Sequence, residues 1–179
     1  MDEDEIEAAE GQGVEGIPKL MEGLQKALDA KEEDTAEAIL DACLRLSSDA
    51  SVCDKLGADY LASTLANTLQ VMIEEAVVIE VLLAVLVKVL KTQANQDAFA
   101  TATNIENLMQ AMKTHAEGEE TLIEYSCLVI EKLAKDNAAV GTLLMEKGVE
   151  EQLTAAESII TNVRNKKYVG QARAALKLA

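Results

Sequence analysis

The chain repeats itself with a period of 44 residues over most of its length of 179. At this spacing one apolar position recurs four times, as Ile17, Leu61, Ile105 and Val149. Four residues further on, a second apolar position recurs as Met21, Leu65, Met109 and Leu153. A fixed period in this range is typical of repeat proteins, in which no unit can bury its apolar face alone and neighbouring units must stack.

Each unit is predicted to contain three helices in a fixed order. The second helix of the first unit shows an apolar stripe at steps of three and four, formed by Ile17, Leu20, Met21, Leu24 and Leu28. Gly16 and Pro18 stand where this helix should begin. The last helices are predicted over 34–48, 74–91, 119–135 and 168–178. Asp49, Asn95 and Asn137 are expected to cap the short first helices, which should end at Leu56, Ala100 and Leu144.

Composition agrees with helices and excludes several classes of protein. Aromatic residues make up 2% of the chain and apolar residues 49%, which disfavours both an all-β fold and a disordered chain. With 32 acidic and 16 basic residues the net charge is −16, so the chain repels nucleic acid. We therefore predict an all-α protein, a right-handed α-solenoid of about four three-helix units.

Signals of cellular compartment are few. Residues 1–10 are acidic and lack the basic and apolar parts of a signal peptide. The longest apolar stretch, 76–90, is interrupted by Glu80 and Lys88, so it is predicted to be a buried helix rather than a membrane span. The three cysteines are odd in number and form no CxxC motif. These features predict a cytoplasmic or nuclear protein that does not contact a membrane.

Several short motifs resemble the armadillo repeat. They are the segment Gly-Ile-Pro-Lys-Leu at Gly16–Leu20 and the third-helix endings at Cys43–Asp49, Ile130–Asn137 and Ala175–Ala179. The resemblance covers nearly the whole chain from Gly16, and it implies third helices that line a concave groove for extended peptides. Armadillo grooves often carry a ladder of Asn side chains. In this sequence the ladder positions hold Arg45, Lys88, Lys132 and Lys177.

Four cations along such a groove would repel basic peptides and attract carboxylates. We therefore predict that the groove binds a protein partner through an acidic segment, extended or helical, with apolar contacts from Val81, Tyr125 and Leu128. The competing interpretation is that the cations only complement the dipoles at the C-terminal ends of the helices.

Residues 1–15 form an acidic head that precedes the repeat domain at 16–179. The head contains no basic residue and seven acidic ones: Asp2, Glu3, Asp4, Glu5, Glu7, Glu10 and Glu15. Its residues 3–11 are either a first short helix or a frayed tail. The head either occupies the basic row of its own chain and competes with an acidic partner, or serves as a solvating tail.

No catalytic site is predicted. His115 is the only histidine, so a mixed His and Cys metal cluster cannot be assembled, and the sequence has no Gly-rich phosphate loop. Cys43 and Cys127 are expected to pack as small apolar groups. The sequence therefore predicts a non-catalytic adaptor or scaffold without cofactor or metal. The alternative is a structural subunit that docks by its repeat ends within a larger assembly, and end-to-end packing stays open.

Overall fold

The structure is a computed structural model that describes residues 1–163 and 165–178. Over these residues the secondary structure is helical and includes no strand, so the prediction of an all-α protein is confirmed. Ala179, the last residue of the fourth armadillo-like motif, lies outside the described residues. Internal contacts divide the chain into two compact units, unit 1 at Met1–Val89 and unit 2 at Leu90–Ala179.

Unit 1 begins with a helix formed by the acidic head. Its elements are α1 (Glu3–Glu10), a 3₁₀ turn (Gly13–Gly16), α2 (Ile17–Ala30), α3 (Glu33–Leu46), α4 (Ala50–Lys55), a π-helical segment (Leu56–Leu65), α5 (Ala66–Val71) and α6 (Ala76–Val89). Helix α3 packs against both α2 and α6.

Helix α1 is closed at its start by a capping box and is anchored by burial. The Asp2 side chain accepts a hydrogen bond from the backbone N–H of Glu5, and the Glu5 side chain accepts one from the backbone of Asp2. Ile6 and Ala9 are buried against α2 and α3. A Cβ atom at Gly16 would collide with the backbone of Ala9. Gly16 is therefore needed for the close approach of α1 as well as for the start of α2.

The second repeat lacks the break that the sequence predicts after Leu56. Ala50–Val71 is helical throughout, and its centre, Leu56–Leu65, is π-helical. In the third repeat Thr101 caps the corresponding helix by accepting a hydrogen bond from the backbone of Asn104. The residue 44 positions earlier is Gly57, which has no side chain to cap a new helix, so the two helices run together.

Unit 2 contains two further sets of three helices. They are α7 (Gln93–Phe99), α8 (Ala102–Thr114), α9 (Glu120–Ala134), α10 (Ala138–Glu146), α11 (Val149–Ile159) and α12 (Lys167–Ala175). The prediction of a last helix over 168–178 is wrong at its end. Lys177 adopts a left-handed φ of +57°, and Leu178 donates its N–H to the carbonyl of Arg173. This Schellman closure ends α12 at Ala175.

The predicted caps are confirmed at two of three positions. Asp49 accepts a hydrogen bond from the backbone of Ser51, and Asn137 accepts one from the backbone of Val140. The prediction for Asn95 is wrong, because Thr92 has the extended backbone that an N-cap requires and its hydroxyl accepts from the N–H of Asn95.

The 44-residue period is a period of burial. The first aligned apolar position of each repeat has no exposed surface at all: Ile17, Leu61, Ile105 and Val149. In unit 2, side-chain hydrogen bonds join the third repeat to the fourth. They are Asn137 Nδ2 to Asp97 Oδ1 at 2.8 Å, Lys147 Nζ to Glu106 Oε1 at 2.6 Å, and Asn165 Nδ2 to Glu124 Oε1 at 2.6 Å. The partners are 40 or 41 residues apart. Helix α9 packs against α12, and α8 packs against α11, so these corresponding helices of the third and fourth repeats are neighbours.

Replacing Asn137 by Ala should lower the free energy of unfolding by about 1–2 kcal/mol, since it removes both the cap of α10 and the contact with Asp97. Urea unfolding followed by circular dichroism measures the change. Gln93→Ala, an exposed substitution in α7, serves as the control and should change stability by no more than about 0.5 kcal/mol. Equal effects of the two substitutions would contradict the role assigned to Asn137.

Candidate functional site

Arg45, the first of the four predicted cations, is held by a carboxylate of the acidic head. It lies in the last turn of α3 and donates from Nε and Nη2 to the two oxygens of Glu10, at 2.7 and 2.6 Å. The Arg45 side chain is 56% exposed. The hydrogen bonds from Arg45 lower the pKa of Glu10. This pair joins α1 to α3. One carboxylate of the acidic head is therefore bound to one of the four predicted cations.

Acidic side chains surround Arg45. A cavity of about 920 Å³ opens between α1 and α3. The carboxylates that line it are Glu3, Asp4, Glu7, Glu10 and Asp41. Arg45 is the one cation among its lining residues, so the surface around the first ladder position is acidic.

Helix α6 carries the second predicted cation, Lys88, at the exposed end of a partly apolar face. Val81 is half-buried on this face, and Val77, one turn earlier, is 55% exposed. The helix is thus not covered all round, although its other side packs on α3. Within unit 1, α6 presents aliphatic surface that leads to a lysine.

Helix α9 in unit 2 brings three predicted contact residues together. Tyr125, Leu128 and Lys132 are half-buried and follow one another at steps of three and four along the helix, which places them on one face. Lys132 Nζ lies 3.5 Å from Glu131 Oε2. This face therefore combines an aromatic ring, an aliphatic side chain and a cation.

Two lysines that the sequence did not single out join Lys132 around a cavity of about 330 Å³. The cavity lies within unit 2 and is lined by Leu90, Lys91, Gln93, Gln96, Lys132, Lys135 and Asp136. Lys135 forms a 4.0 Å ion pair with Glu131. The spacing of Lys132 and Lys135 at the end of α9 was the signal that could have revealed the cluster. The cavity holds three cations and is the most basic site that we find around the predicted ladder residues.

Lys177 lies beyond the end of α12 rather than on it. It is exposed and lines a groove of about 750 Å³ between α10 and α12, together with Ala138, Gly141, Met145 and Leu176. Met145 is 37% exposed there. Lys177, the fourth predicted ladder residue, therefore lines a mainly apolar groove in the last repeat.

The three cysteines and the one histidine are buried. Burial raises the pKa of the Cys43 thiol to about 12 and that of the Cys127 thiol to about 12, so both stay protonated at neutral pH. Cys53 donates its S–H to the carbonyl of Ser47. His115 is buried at the end of α8. Among the residues that the structure describes, no group of three His, Cys, Asp or Glu side chains could hold a metal ion.

No helix in the described part of the chain has the length and apolar content needed to cross a membrane. Comparisons of the chain with protein-family models, with curated proteins and with solved structures find no match.

Replacing Glu10 by Gln should destabilise the protein at neutral pH by no more than about 1 kcal/mol, because the pair with Arg45 is partly exposed and screened. The pKa of Glu10 is lower in the folded protein. Its stabilising effect is therefore complete above the ordinary carboxyl pKa and is lost as pH falls through the lowered one.

Thermal unfolding of E10Q and wild type across this acidic range measures the effect, and the two curves should converge in acid. Glu22→Gln breaks only a pair within α2, with Lys26, and serves as the control for loss of a surface ion pair. A difference between E10Q and wild type that persists in strong acid would exclude the ion pair as its cause.

Proposed function

We propose that the protein is a non-catalytic adaptor or scaffold, an armadillo-like right-handed α-solenoid that binds an acidic protein segment along its third helices. Two findings support the repeat arrangement. The aligned apolar positions are buried, and corresponding helices of the third and fourth repeats pack against each other, with side-chain hydrogen bonds between the two repeats. Stacked repeats of this kind leave the third helices available for a partner.

The observation that carries the binding proposal is the lysine cavity of unit 2. Lys91, Lys132 and Lys135 line one cavity in a protein whose net charge is −16. Ammonium groups grouped in this way attract carboxylates through charge-assisted hydrogen bonds. The same helix supplies Tyr125 and Leu128 for apolar contact. An acidic segment with aliphatic side chains fits this combination.

Glu131 sets the strength of such binding. It lies 3.5 Å from Lys132 and 4.0 Å from Lys135, so it partly neutralises both lysines in the free protein. A partner carboxylate has to replace or share these contacts. We therefore expect binding of modest affinity that weakens as salt screens the charges.

The test uses a short fluorescein-labelled peptide of Glu and Leu residues, with binding followed by fluorescence anisotropy. K132E/K135E should weaken binding by about tenfold or more, as expected for the loss of two charge-assisted contacts. K88E/K132E extends the test to the lysine of α6. K26E/K113E makes the same change in net charge on α2 and α8 and should leave affinity within about twofold, because exposed charges at a distance are screened.

Undiminished binding by K132E/K135E would overturn the proposal. Equal losses in K132E/K135E and in the control K26E/K113E would also overturn it, because affinity would then depend on net charge alone.

The groove between α10 and α12 favours a second candidate, a structural subunit that docks by its repeat ends. Small residues, Ala138 and Gly141, leave room there beside the exposed Met145. A helix from another chain fits such a surface. Met145→Lys would block this docking and leave binding of the Glu and Leu peptide unchanged, so the two candidates are separable.

A further inference from the structure

The last part of the chain has the opposite charge to the rest. Residues 158–179 contain five basic residues and no acidic one. All 32 acidic residues lie in 1–157 with 11 of the 16 basic ones, which gives that segment a net charge of −21. The aligned segment of the third repeat, 114–135, contains five acidic residues. The repeat fold therefore does not require the basic character of the final helix and the loop before it.

The loop before α12 is fixed to α9 by two carboxylates. Glu120 accepts hydrogen bonds from the backbone N–H groups of Thr161 at 2.9 Å and Asn162 at 3.0 Å. Glu124 accepts one from the side chain of Asn165 at 2.6 Å. Held in this way, the loop presents Val163, whose side chain is 82% exposed, the highest value among the large apolar residues described.

Two adjacent lysines follow at the start of α12. Lys166 is its N-cap and Lys167 its first residue, and both are exposed. Lys166 attracts the Glu120 carboxylate of α9, and Lys167 Nζ lies 5.0 Å from the centroid of the Tyr168 ring. The first turn of α12 holds no acidic side chain. The helix dipole disfavours cations at this end, so these lysines are not explained by the stability of α12. We call Val163, Lys166 and Lys167 the α12 surface.

The complementary set of charges is on α1. Glu3, Asp4 and Glu7 are exposed and form no ion pair within the described chain. Glu3 and Glu7 are four residues apart, and Asp4 and Glu7 are three apart, so like charges face each other on one side of the helix. Ala8, also exposed, adds a small apolar contact beside them. A cationic surface placed against this side would relieve the repulsion.

We propose that α1 of one copy of this chain docks on the α12 surface of a second copy, in head-to-tail association. The carboxylates of Glu3, Asp4 and Glu7 meet Lys166, Lys167 and the N-terminal end of α12, while Ala8 lies near Val163. This proposal shares with the end-docking candidate the idea that the last repeat binds another chain, but it uses the α12 surface instead of the groove between α10 and α12. It does not depend on the lysine cavity of unit 2.

The size of the two surfaces favours a second copy over a polyanion. Helix α1 has eight residues and is about 12 Å long, which suits a surface of two lysines and one valine. Nucleic acid or an anionic membrane would extend past this surface and meet the segment with a net charge of −21. A contact of this kind is small and electrostatic, so it should be weak and sensitive to salt.

Head-to-tail contacts are heterologous and produce open chains or rings rather than closed dimers. This property allows a sharp test by sedimentation velocity at about 0.02 M and about 0.5 M salt. The wild-type protein should associate with rising concentration at low salt and be monomeric at high salt. K166E/K167E and E3K/D4K/E7K should each be monomeric alone. Mixed together they should associate again, because the acidic α1 of one variant meets the intact lysines of the other and the two reversed sets of charges also attract each other.

Two further variants separate loss of the contact from the effects of reversed charges and of net charge. E3Q/D4N/E7Q retains the Asp2 and Glu5 capping box and should lose association without the cost of reversed charges. K26E/K113E has the same net charge as K166E/K167E and should associate like the wild-type protein. Circular dichroism checks that every variant is folded.

A wild-type protein that stays monomeric at low salt overturns the proposal. Association that survives K166E/K167E, or mixed variants that fail to associate, overturns it as well. Binding of the wild-type protein to anionic phosphatidylserine vesicles that depends on Lys166 and Lys167, in the absence of self-association, would assign the α12 surface to a membrane instead. Since the Glu and Leu peptide assay uses Lys132 and Lys135, either proposal can fail without the other.

Discussion

The burial of one apolar face per 44 residues is the constraint on which the rest of the structure depends. In a repeat protein no unit buries its apolar face alone, so the helices of one unit pack against those of the next. The first aligned apolar position of each repeat is completely buried in both units. Core residues are therefore fixed at intervals of 44, while the solvent-facing positions between them are free to carry charge.

The three surfaces described above show how differently the same kind of charge can act. Arg45 is held by Glu10 and lies among carboxylates, so it binds the head to the body. Lys132 shares a cavity with Lys91 and Lys135, where cations outnumber the single lining carboxylate. Lys166 lies at a helix end that disfavours cations. Whether a cation is available to bind a partner depends on the side chains around it, and these differ between repeats.

Helix-forming periodicity, the caps at Asp49 and Asn137 and the buried series could be predicted because they depend on residues a few positions apart. The period alone predicted a break after Leu56 that the structure does not have. A break also requires a side chain that caps the next helix, and Gly57 has none. The end of α12 was missed for a related reason. Lys177 takes up the left-handed conformation that usually falls to Gly.

Three properties follow from the amino-acid order alone: the helical secondary structure, the buried positions of the 44-residue period and the strongly acidic charge. Helix propensity and burial leave a periodic pattern in the order of the residues, so they can be read from it. Which cations are available to a partner depends on how the folded chain packs. Glu10 reaches Arg45 across 35 residues of sequence, and Lys91 joins Lys132 through the packing of unit 2. Side chains far apart in sequence are brought within a few ångströms by packing, and electrostatic interaction depends on that distance.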